Sequence, residues 1–141
     1  MTQRDDSTGV SGPDRVARAM TIAGSDSGGG AGVQADLKSF AAMGVYGTSV
    51  LTAITAQNTL QVTDVVELPV SIIESQIDAI ISDIGTDAVK TGMLSSAAII
   101  EAVAGKVREH GLENLVVDPV MVAKGGARLI DNKAINILKN K

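Results

Sequence analysis

The sequence contains no cysteine and no tryptophan, and it has one phenylalanine and one tyrosine among 141 residues. Because cysteine is absent, disulfide bonds and thiolate metal sites are excluded, and a reducing cytoplasm is the expected location. Because aromatic side chains are almost absent, the core must be aliphatic and rich in alanine, with tight contacts between helices and a sheet. A chain of this length is sufficient for one ordinary domain.

Long apolar runs and basic runs are missing as well. No segment approaches the ~18 uninterrupted apolar residues that a membrane-spanning helix needs. The formal net charge is −4 and lysine and arginine form no cluster, so neither a membrane nor a nucleic acid is an expected partner. Residues 1–15 are polar and include acidic side chains, unlike a signal peptide. We expect a disordered lead-in over 1–15 and a single domain over 16–141.

Strand-like and helix-like segments alternate along the chain. Short apolar and β-branched runs predict four strands, at residues 16–23, 45–56, 87–93 and 114–118. Apolar residues at helical spacing predict three helices between them, over residues 33–41, 73–84 and 99–107. Gly44 is predicted to end the first helix, and Ser95 or Ser96 to cap the third. Asp131 is predicted to cap a further helix after the fourth strand, which continues to Lys141.

This alternation favours an α/β fold in which helices flank a mostly parallel sheet. Right-handed crossovers bring the carboxyl ends of the strands to one edge, where open α/β sheets bind their ligands. Unusual residues gather at these ends, in the stretches 24–26, 57–59, 92–93 and 118–121. We therefore expect these four separate stretches to form one pocket.

Residues 23–37, AGSDSGGGAGVQADL, contain five glycines within nine positions. A flexible linker does not fit, because the stretch joins a predicted buried strand to a helix of the same unit. A Walker A loop would need Gly-Lys-Ser/Thr after its gap, and a dinucleotide fingerprint would need glycine where Val33 stands. A tight structural turn remains the alternative, but it needs only one or two glycines. The pattern favours a loop whose backbone approaches a ligand, with several N–H groups directed at it from the start of the helix.

Three stretches are specific enough to point to a family. They are TIAGSDSGGGAGVQADLKSFAAMGVYGTSVLTAITAQNT, QIDAIISDIGTDAVKTGML and NLVVDPVMVAKGG, which lie in this order between Thr21 and Gly126. Together they closely resemble the hydroxymethylpyrimidine/phosphomethylpyrimidine kinases of thiamine biosynthesis, which belong to the ribokinase-like superfamily. The resemblance implies a ribokinase-like three-layer α/β sandwich with a mostly parallel sheet, truncated here after about four βα units. It also implies that the glycine loop is the floor of a pyrimidine pocket.

Gln57 is the strongest candidate for reading the substrate. A 4-aminopyrimidine presents an exocyclic N–H donor beside a ring-nitrogen acceptor, and a glutamine amide matches that edge in both senses. A bidentate pair of this kind discriminates between rings by ~1–3 kcal/mol. The resemblance independently assigns the pyrimidine-reading glutamine to this position. The alternative is a solvated glutamine in a loop.

Four further residues are assigned to the substrate side by the resemblance. Asp36 would border the hydroxymethyl group, although a charge favoured near a helix N-terminus is an equal alternative. Met93 would lie against the face of the ring, with packing in the core as the alternative. Val120 would flank the ring in a similar way, and Gly24 would let the backbone approach it.

Two residues are assigned to the phosphate and metal region. Asp118 follows a predicted buried run, where a carboxylate must be paired, hydrogen-bonded or bound to metal. The resemblance implies that it faces the phosphate and Mg²⁺, through water, and that Lys124 meets a phosphate oxygen. Lys90 is expected at an edge or surface rather than in catalysis. His110 matches no motif and is expected to stabilise the carboxyl end of the third helix.

The resemblance implies a kinase that uses ATP and Mg²⁺ to phosphorylate the hydroxymethylpyrimidine alcohol and then its monophosphate. The proton acceptor of the family stands in a downstream Gly-x-Gly-Asp motif or its Cys-ended variant, whose N–H groups form an anion hole. No match to that motif occurs in the 141 residues. We therefore expect the catalytic base to lie beyond Lys141, and we expect no activity from this chain alone.

Several alternatives stay open at this point. The chain is expected to pair with a separate C-terminal half or with a second copy of itself. A non-catalytic module that binds pyrimidine or another half-chain is one alternative function, and a related pyridoxal kinase is another. A nucleotide-dependent oxidoreductase is disfavoured, because the dinucleotide fingerprint fails.

Overall fold

The computed structural model describes residues 15–120 of the chain. Within this range it has six strands and three helices: β1 (Arg18–Ala23), α1 (Gly32–Ala42), β2 (Tyr46–Leu51), β3 (Ala53–Gln57), β4 (Val62–Glu67), α2 (Val70–Asp83), β5 (Ala88–Thr91), α3 (Ala97–Glu109) and β6 (Leu115–Val117).

Several predictions from the sequence fall outside the described residues. They are the helix from Asp131 to Lys141, the contact of Lys124 and nearly all of the 1–15 segment. The expectation that the catalytic base lies beyond Lys141 falls outside the described residues as well, so it stays a prediction. The domain boundary at residue 16 also stays a prediction.

Four strands form one parallel sheet in the order β2-β1-β5-β6. Apolar side chains of β1, β2 and β5 share a buried cluster with α2 and α3, in which Met20, Ile22, Ile73 and Ile77 are fully buried. The helix α1 packs on β1 and β2, and its Asp36 accepts a hydrogen bond from Thr21. The side chain of Thr21 alternates along β1 with those of Met20 and Ile22, so α1 lies on the opposite face of the sheet. Helices thus cover both faces of the sheet, which confirms the predicted three-layer α/β architecture.

The prediction of one continuous strand over residues 45–56 is wrong, because the chain leaves the main sheet at Thr52. The Thr52 N–H donates to the Ala23 carbonyl at 3.0 Å, and its buried hydroxyl donates to the Met93 carbonyl at 2.8 Å. Beyond it, β3 pairs antiparallel with β4 in a separate two-stranded sheet. The strand β4 was not predicted, since its residues have no buried face and hence no alternating pattern.

The helix ends agree with the sequence except at one cap. Gly44 follows α1 with a φ of +72°, as its predicted role in ending that helix requires. Ser96 stands at the N-cap of α3, but its side chain makes no capping hydrogen bond. The neighbouring Ser95 hydroxyl is buried without a hydrogen-bond partner among the described residues. The predicted capping bond is therefore wrong, although the start of the helix is correct.

The strand β6 is short and exposed on both faces. Its side chains are apolar, yet Leu115, Val116 and Val117 are 37%, 64% and 46% exposed. The expectation that this run is buried is therefore wrong for the described part of the chain. Strands of parallel sheets are normally covered on both faces, whereas β6 has an open edge and two uncovered apolar faces within the described part of the chain.

An ion pair joins β1 to the start of β5 at the amino-terminal edge of the sheet. Asp87 accepts hydrogen bonds from the Arg18 side chain, at 3.1 Å from Nη2, and from the Arg18 backbone N–H at 2.8 Å. These bonds lower the pKa of Asp87 to about 2. The Arg18 guanidinium also donates to the carbonyl of Ile84, so this contact ties the end of α2 to the sheet.

A second charged cluster joins α2 to α3. Lys106 Nζ lies 2.8 Å from Asp78 and 3.0 Å from Glu109, and His110 lies 2.7 Å from Asp78. The hydrogen bond from Lys106, and secondarily that with His110, lowers the pKa of Asp78. His110 stands at the C-cap of α3, as predicted, but it also has a partner on another helix, which the sequence did not reveal. No helix in the range 15–120 is long and apolar enough to cross a membrane.

Candidate functional site

The carboxyl ends of the parallel strands open into a cleft of about 430 Å³. Its walls come from the glycine loop, the start of α1, the end of β3 and the segments that follow β5 and β6. The cleft is lined by six residues that the sequence analysis assigned to the site: Gly24, Asp36, Gln57, Met93, Asp118 and Val120. The structure thus brings together stretches far apart in sequence, while the role of each residue stays a prediction.

Asp26 organises the glycine loop from within. Its carboxylate accepts hydrogen bonds from the N–H groups of Gly28 at 2.8 Å, Gly30 at 3.0 Å and Ala31 at 2.8 Å. Asp26 is itself buried, and three N–H donors satisfy its charge. The expectation that these N–H groups point at a ligand is therefore wrong, because they are directed at the loop's own carboxylate. The sequence signal for this role was an aspartate just before the glycines, a common turn-forming arrangement.

The glycines of the loop serve different purposes. Gly29 and Gly32 have φ values of +73° and +58°, which side-chain-bearing residues adopt only with strain. A Cβ on Gly32 would also collide with the carbonyl oxygen of Gly24. Gly30 lacks a positive φ, and a Cβ there would have its nearest atom 3.8 Å away, in Asp26. Part of the glycine content is therefore required by the turn, and part leaves the cleft open.

Hydrogen bonds fasten the loop to β3. The Ser25 hydroxyl accepts from the Thr55 N–H at 2.9 Å, and the Thr55 hydroxyl donates to the Ser25 carbonyl at 2.8 Å. Two residues further along each segment, Ser27 Oγ accepts from the Gln57 N–H at 2.7 Å and donates to the Gln57 carbonyl at 2.6 Å. Because of these paired bonds, the backbone of Gln57 is held against the glycine loop.

The side-chain amide of Gln57 makes no hydrogen bond with any residue in the range 15–120. Gln57 ends β3 at a break in the β3–β4 register between Ala56 and Gln57, and such a break re-aims a side chain. Its main chain is fixed, it is partly buried, and it lines the cleft. The site therefore offers the N–H donors and the carbonyl acceptor of one amide, on a residue whose main chain is held in place.

Met93 and Gly24 meet at the floor of the cleft. Met93 is 8% exposed, and a Cβ on Gly24 would collide with the methyl group of Met93. The thioether therefore occupies space that glycine leaves free, and it belongs to both the core and the cleft wall. Both interpretations given to Met93 from the sequence fit this position.

Lys90 lies in the cleft, which corrects the expectation of an edge or surface position. The strand β5 is an inner strand of the described sheet, between β1 and β6. The Lys90 ammonium is 2.9 Å and 3.1 Å from the two carboxylate oxygens of Asp36 and 3.7 Å from Asp118. Thr21 donates to Asp36 at 2.6 Å. A lysine within an apolar inner strand is a signal that a partner is required, and this signal was available in the sequence.

Asp36 lies beyond the first turn of α1, which contains no acidic residue. The effect of the helix dipole falls off within that turn, so the alternative role of Asp36 as a helix-start charge has little support. Its contacts with Thr21 and Lys90 place the carboxylate at the cleft instead.

Acidic side chains outnumber basic ones among the described residues that line the cleft. Asp26, Asp36 and Asp118 line it, and Lys90 is the one cation that does so within 15–120. The Asp26 and Asp36 carboxylates are occupied by hydrogen bonds, whereas Asp118 is 54% exposed and, among residues 15–120, has a single charged contact, at 3.7 Å. Oxygen ligands of this kind suit Mg²⁺, which keeps several waters in its shell. Asp118 therefore fits a magnesium ion bound directly or through water.

Comparison with known proteins agrees with the α/β fold. A family model described as phosphomethylpyrimidine kinase matches residues 26–141. The hydroxymethylpyrimidine/phosphomethylpyrimidine kinase of Bacillus subtilis is 54% identical over 124 residues, which are 88% of this chain and 46% of that protein. The crystal structure of a phosphomethylpyrimidine kinase from Clostridium difficile 630 superposes with a TM-score of 0.81 at 51% identity, covering 86% of this chain and 53% of the other.

A pyridoxal kinase from Bacillus subtilis, solved as an ADP complex, is also similar. Its TM-score is 0.77 at 42% identity, covering 89% of this chain and 48% of the other. The chain thus spans about half the length of each of these three proteins.

Proposed function

The chain belongs to the phosphomethylpyrimidine kinase family, and from that premise we propose that its cleft binds the ring of 4-amino-5-hydroxymethyl-2-methylpyrimidine. We further propose that the chain takes part in the ATP-dependent phosphorylation of this alcohol and of its monophosphate in thiamine biosynthesis. The observation that carries the proposal is the side-chain amide of Gln57, unpaired within the described range, in a cleft at the carboxyl ends of the strands.

The Gln57 amide suits an aminopyrimidine for a chemical reason. One of its groups donates and the other accepts, which matches the amino group and adjacent ring nitrogen. The main chain of Gln57 is already held by Ser27, so only its side chain has to be ordered when the ring binds. Met93 offers a polarizable surface for the face of the ring.

Magnesium and ATP are part of the same proposal. Phosphate groups entering a cleft lined by three carboxylates would be repelled unless a cation accompanied them. Asp118 would hold a magnesium ion, directly or through water, and the ion would supply positive charge that offsets the charge of the phosphates. Lys124, which the resemblance assigns to a phosphate oxygen, would add positive charge from outside the described residues.

The 141-residue polypeptide is proposed to supply the substrate side of this reaction. We expect it to bind the ring, because the cleft and Gln57 lie within its described residues. The exposed apolar faces of β6 support pairing with a separate second half or a second copy of the chain. Sedimentation of the chain as a stable monomer would argue against this pairing.

A cytoplasmic location is proposed from the lack of cysteine.

Pyridoxal is a second candidate substrate. The similarity to a pyridoxal kinase at 42% identity favours it, since the same scaffold serves a different ring there. Pyridoxal lacks the amino group beside a ring nitrogen, so it would leave half of the Gln57 amide unpaired. We therefore propose hydroxymethylpyrimidine as the preferred ligand.

The test is to measure the affinity of the chain for hydroxymethylpyrimidine and for pyridoxal by calorimetry, in wild type and in Gln57→Ala. We expect Gln57→Ala to weaken pyrimidine binding by about tenfold or more, because a bidentate pair discriminates by ~1–3 kcal/mol. Gln61→Ala is the matched control, since Gln61 lies in the same hairpin and does not line the cleft. Equal pyrimidine binding by wild type and Gln57→Ala would overturn the assignment, and tighter binding of pyridoxal would select the second candidate.

A further inference from the structure

Lys90 and Thr21 are neighbours on adjacent parallel strands. In the register between β1 and β5, Thr21 is paired with Lys90, so their side chains leave the sheet on the same face. That face is covered by α1, from which Asp36 projects between them. Sheet register and helix packing therefore place one cation, one hydroxyl and one carboxylate together.

The contacts of Asp36 fix its carboxylate on both oxygens. Lys90 Nζ lies 3.1 Å from Oδ1 and 2.9 Å from Oδ2, and Thr21 donates to Oδ2 at 2.6 Å. The side chains of Lys90 and Asp36 are 23% and 18% exposed, so water screens this pair only in part. Each bond to a charged partner is stronger than one between neutral groups, so the carboxylate has one preferred orientation.

The same ammonium also faces the acid that follows β6. Asp118 lies 3.7 Å from Lys90 Nζ, and its backbone N–H donates to the carbonyl of Thr91, next to Lys90. Two carboxylates from different elements therefore lie close to one nitrogen. Without that charge they would repel each other across the cleft, and each would lose an attractive partner.

We propose that Lys90 is a positioning residue that holds the Asp36 carboxylate toward the cleft and keeps Asp118 beside it. The inference rests on the proposed function, because it takes the ring's hydroxymethyl group as the partner of the oriented Asp36. Lys90 acts on binding through Asp36 and does not itself contact the ring. Its charge fixes the position of the Asp36 carboxylate on the substrate side, and it separates that carboxylate from Asp118, the residue that fits magnesium.

A lysine that bridges two carboxylates elsewhere in the fold provides the matched control. Lys106 contacts Asp78 at 2.8 Å and Glu109 at 3.0 Å, and it does not line the cleft. Replacing either lysine with methionine retains the apolar stem and removes the charge. If lysine–carboxylate pairs only stabilise this protein, Lys90→Met and Lys106→Met will behave alike.

The experiment measures the affinity for hydroxymethylpyrimidine by calorimetry and the unfolding free energy in urea for the 141-residue chain. We expect Lys90→Met to weaken binding by about tenfold, the effect of one lost hydrogen bond to a charged group. Lys90→Arg should restore binding to within about threefold, since it keeps a cation able to bind a carboxylate with two hydrogen bonds. Lys106→Met should lose stability and keep wild-type affinity.

The positioning role also predicts how a double variant at Lys90 and Asp36 binds. If Lys90 acts through Asp36, then Lys90→Met should weaken binding very little once Asp36→Asn is present, because the carboxylate it orients is gone. Should Lys90→Met fail to fold, Lys90→Gln keeps a donor without the charge and replaces it in the series. Wild-type affinity in a folded Lys90→Met or Lys90→Gln chain, or full additivity with Asp36→Asn, would overturn the inference alone. No binding by the wild-type chain would overturn the proposed function and this inference with it.

Discussion

Gly30 and Gly32 stand two residues apart in the glycine loop but are constrained differently. Gly32 has a positive φ, and a methyl group there would meet the carbonyl of Gly24, whereas Gly30 has neither restriction. We expect Gly32→Ala to lower the unfolding free energy by at least ~1–2 kcal/mol, the approximate penalty of a left-handed conformation. Gly30→Ala should change it by less than about 0.5 kcal/mol.

Urea unfolding of the two variants checks this contrast. The pair controls for the loss of glycine from the unfolded chain, because both variants change that state in the same way. If both substitutions lowered the unfolding free energy equally, Gly30 and Gly32 would be required for the same reason, and the different roles assigned to them would be incorrect.

At this scale the sequence predicted which residues line the cleft better than it predicted their hydrogen bonds. The excess of glycine drew attention to the right loop, but Asp26, which binds its N–H groups, was not recognised as the organiser. A loop whose N–H groups bind an acceptor within the loop and a loop whose N–H groups bind a ligand have the same glycine pattern in the sequence. Only the three-dimensional structure distinguishes them, because the difference is the direction of three N–H bonds.

At the scale of the elements, the pair between β1 and β5 makes stability depend on pH. The pKa of Asp87 is about 2 in the folded chain, against 3.8 for an unperturbed group, because Arg18 hydrogen-bonds the ionised form. A lowered pKa stabilises the fold above the unfolded value, and this contribution is lost as the pH falls through the folded value. The loss therefore develops between about pH 4 and pH 2.

Acid unfolding of Asp87→Asn tests this dependence. We expect the variant to be less stable than wild type at pH 7 and to lose less stability than wild type between about pH 4 and pH 2, measured by urea unfolding at each pH. Asp83→Asn is the control, because Asp83 is an exposed acid at the end of α2 with no ion pair in the described range. Parallel pH curves for wild type and Asp87→Asn would contradict the assignment.

The elements themselves were largely predictable, with one instructive failure. Helical spacing located α1, α2 and α3, and the apolar runs located the four parallel strands. The β3–β4 hairpin was missed because a β-branched run does not show where it changes sheets. The change depends on Thr52, whose bonds to Ala23 and Met93 are tertiary and leave no local signature.

At the scale of the whole molecule, the fold separates two kinds of charge cluster. The carboxyl edge of the sheet gathers Asp36, Lys90 and Asp118 around a cleft, whereas the Arg18–Asp87 and Asp78–Lys106 groups lie outside it. Parallel strand order accounts for the first cluster, because the crossovers place the carboxyl ends of all the strands at one edge of the sheet. The sequence predicted the convergence for this reason, but the expectation for Lys90 was wrong, although a lysine within an apolar strand already indicated that a charged partner is required.

The most direct test of pyrimidine binding in the cleft is a titration of the isotopically labelled chain with hydroxymethylpyrimidine, followed by ¹H–¹⁵N correlation spectra. We predict saturable shifts of the amide signals of the glycine loop, Gln57, Met93 and Asp118, which line the cleft. The signals of Asp78 and Lys106, which do not line it, should remain unchanged and serve as the internal control. An absence of saturable shifts, or shifts centred on the α2–α3 cluster, would contradict the claim that this cleft binds the pyrimidine.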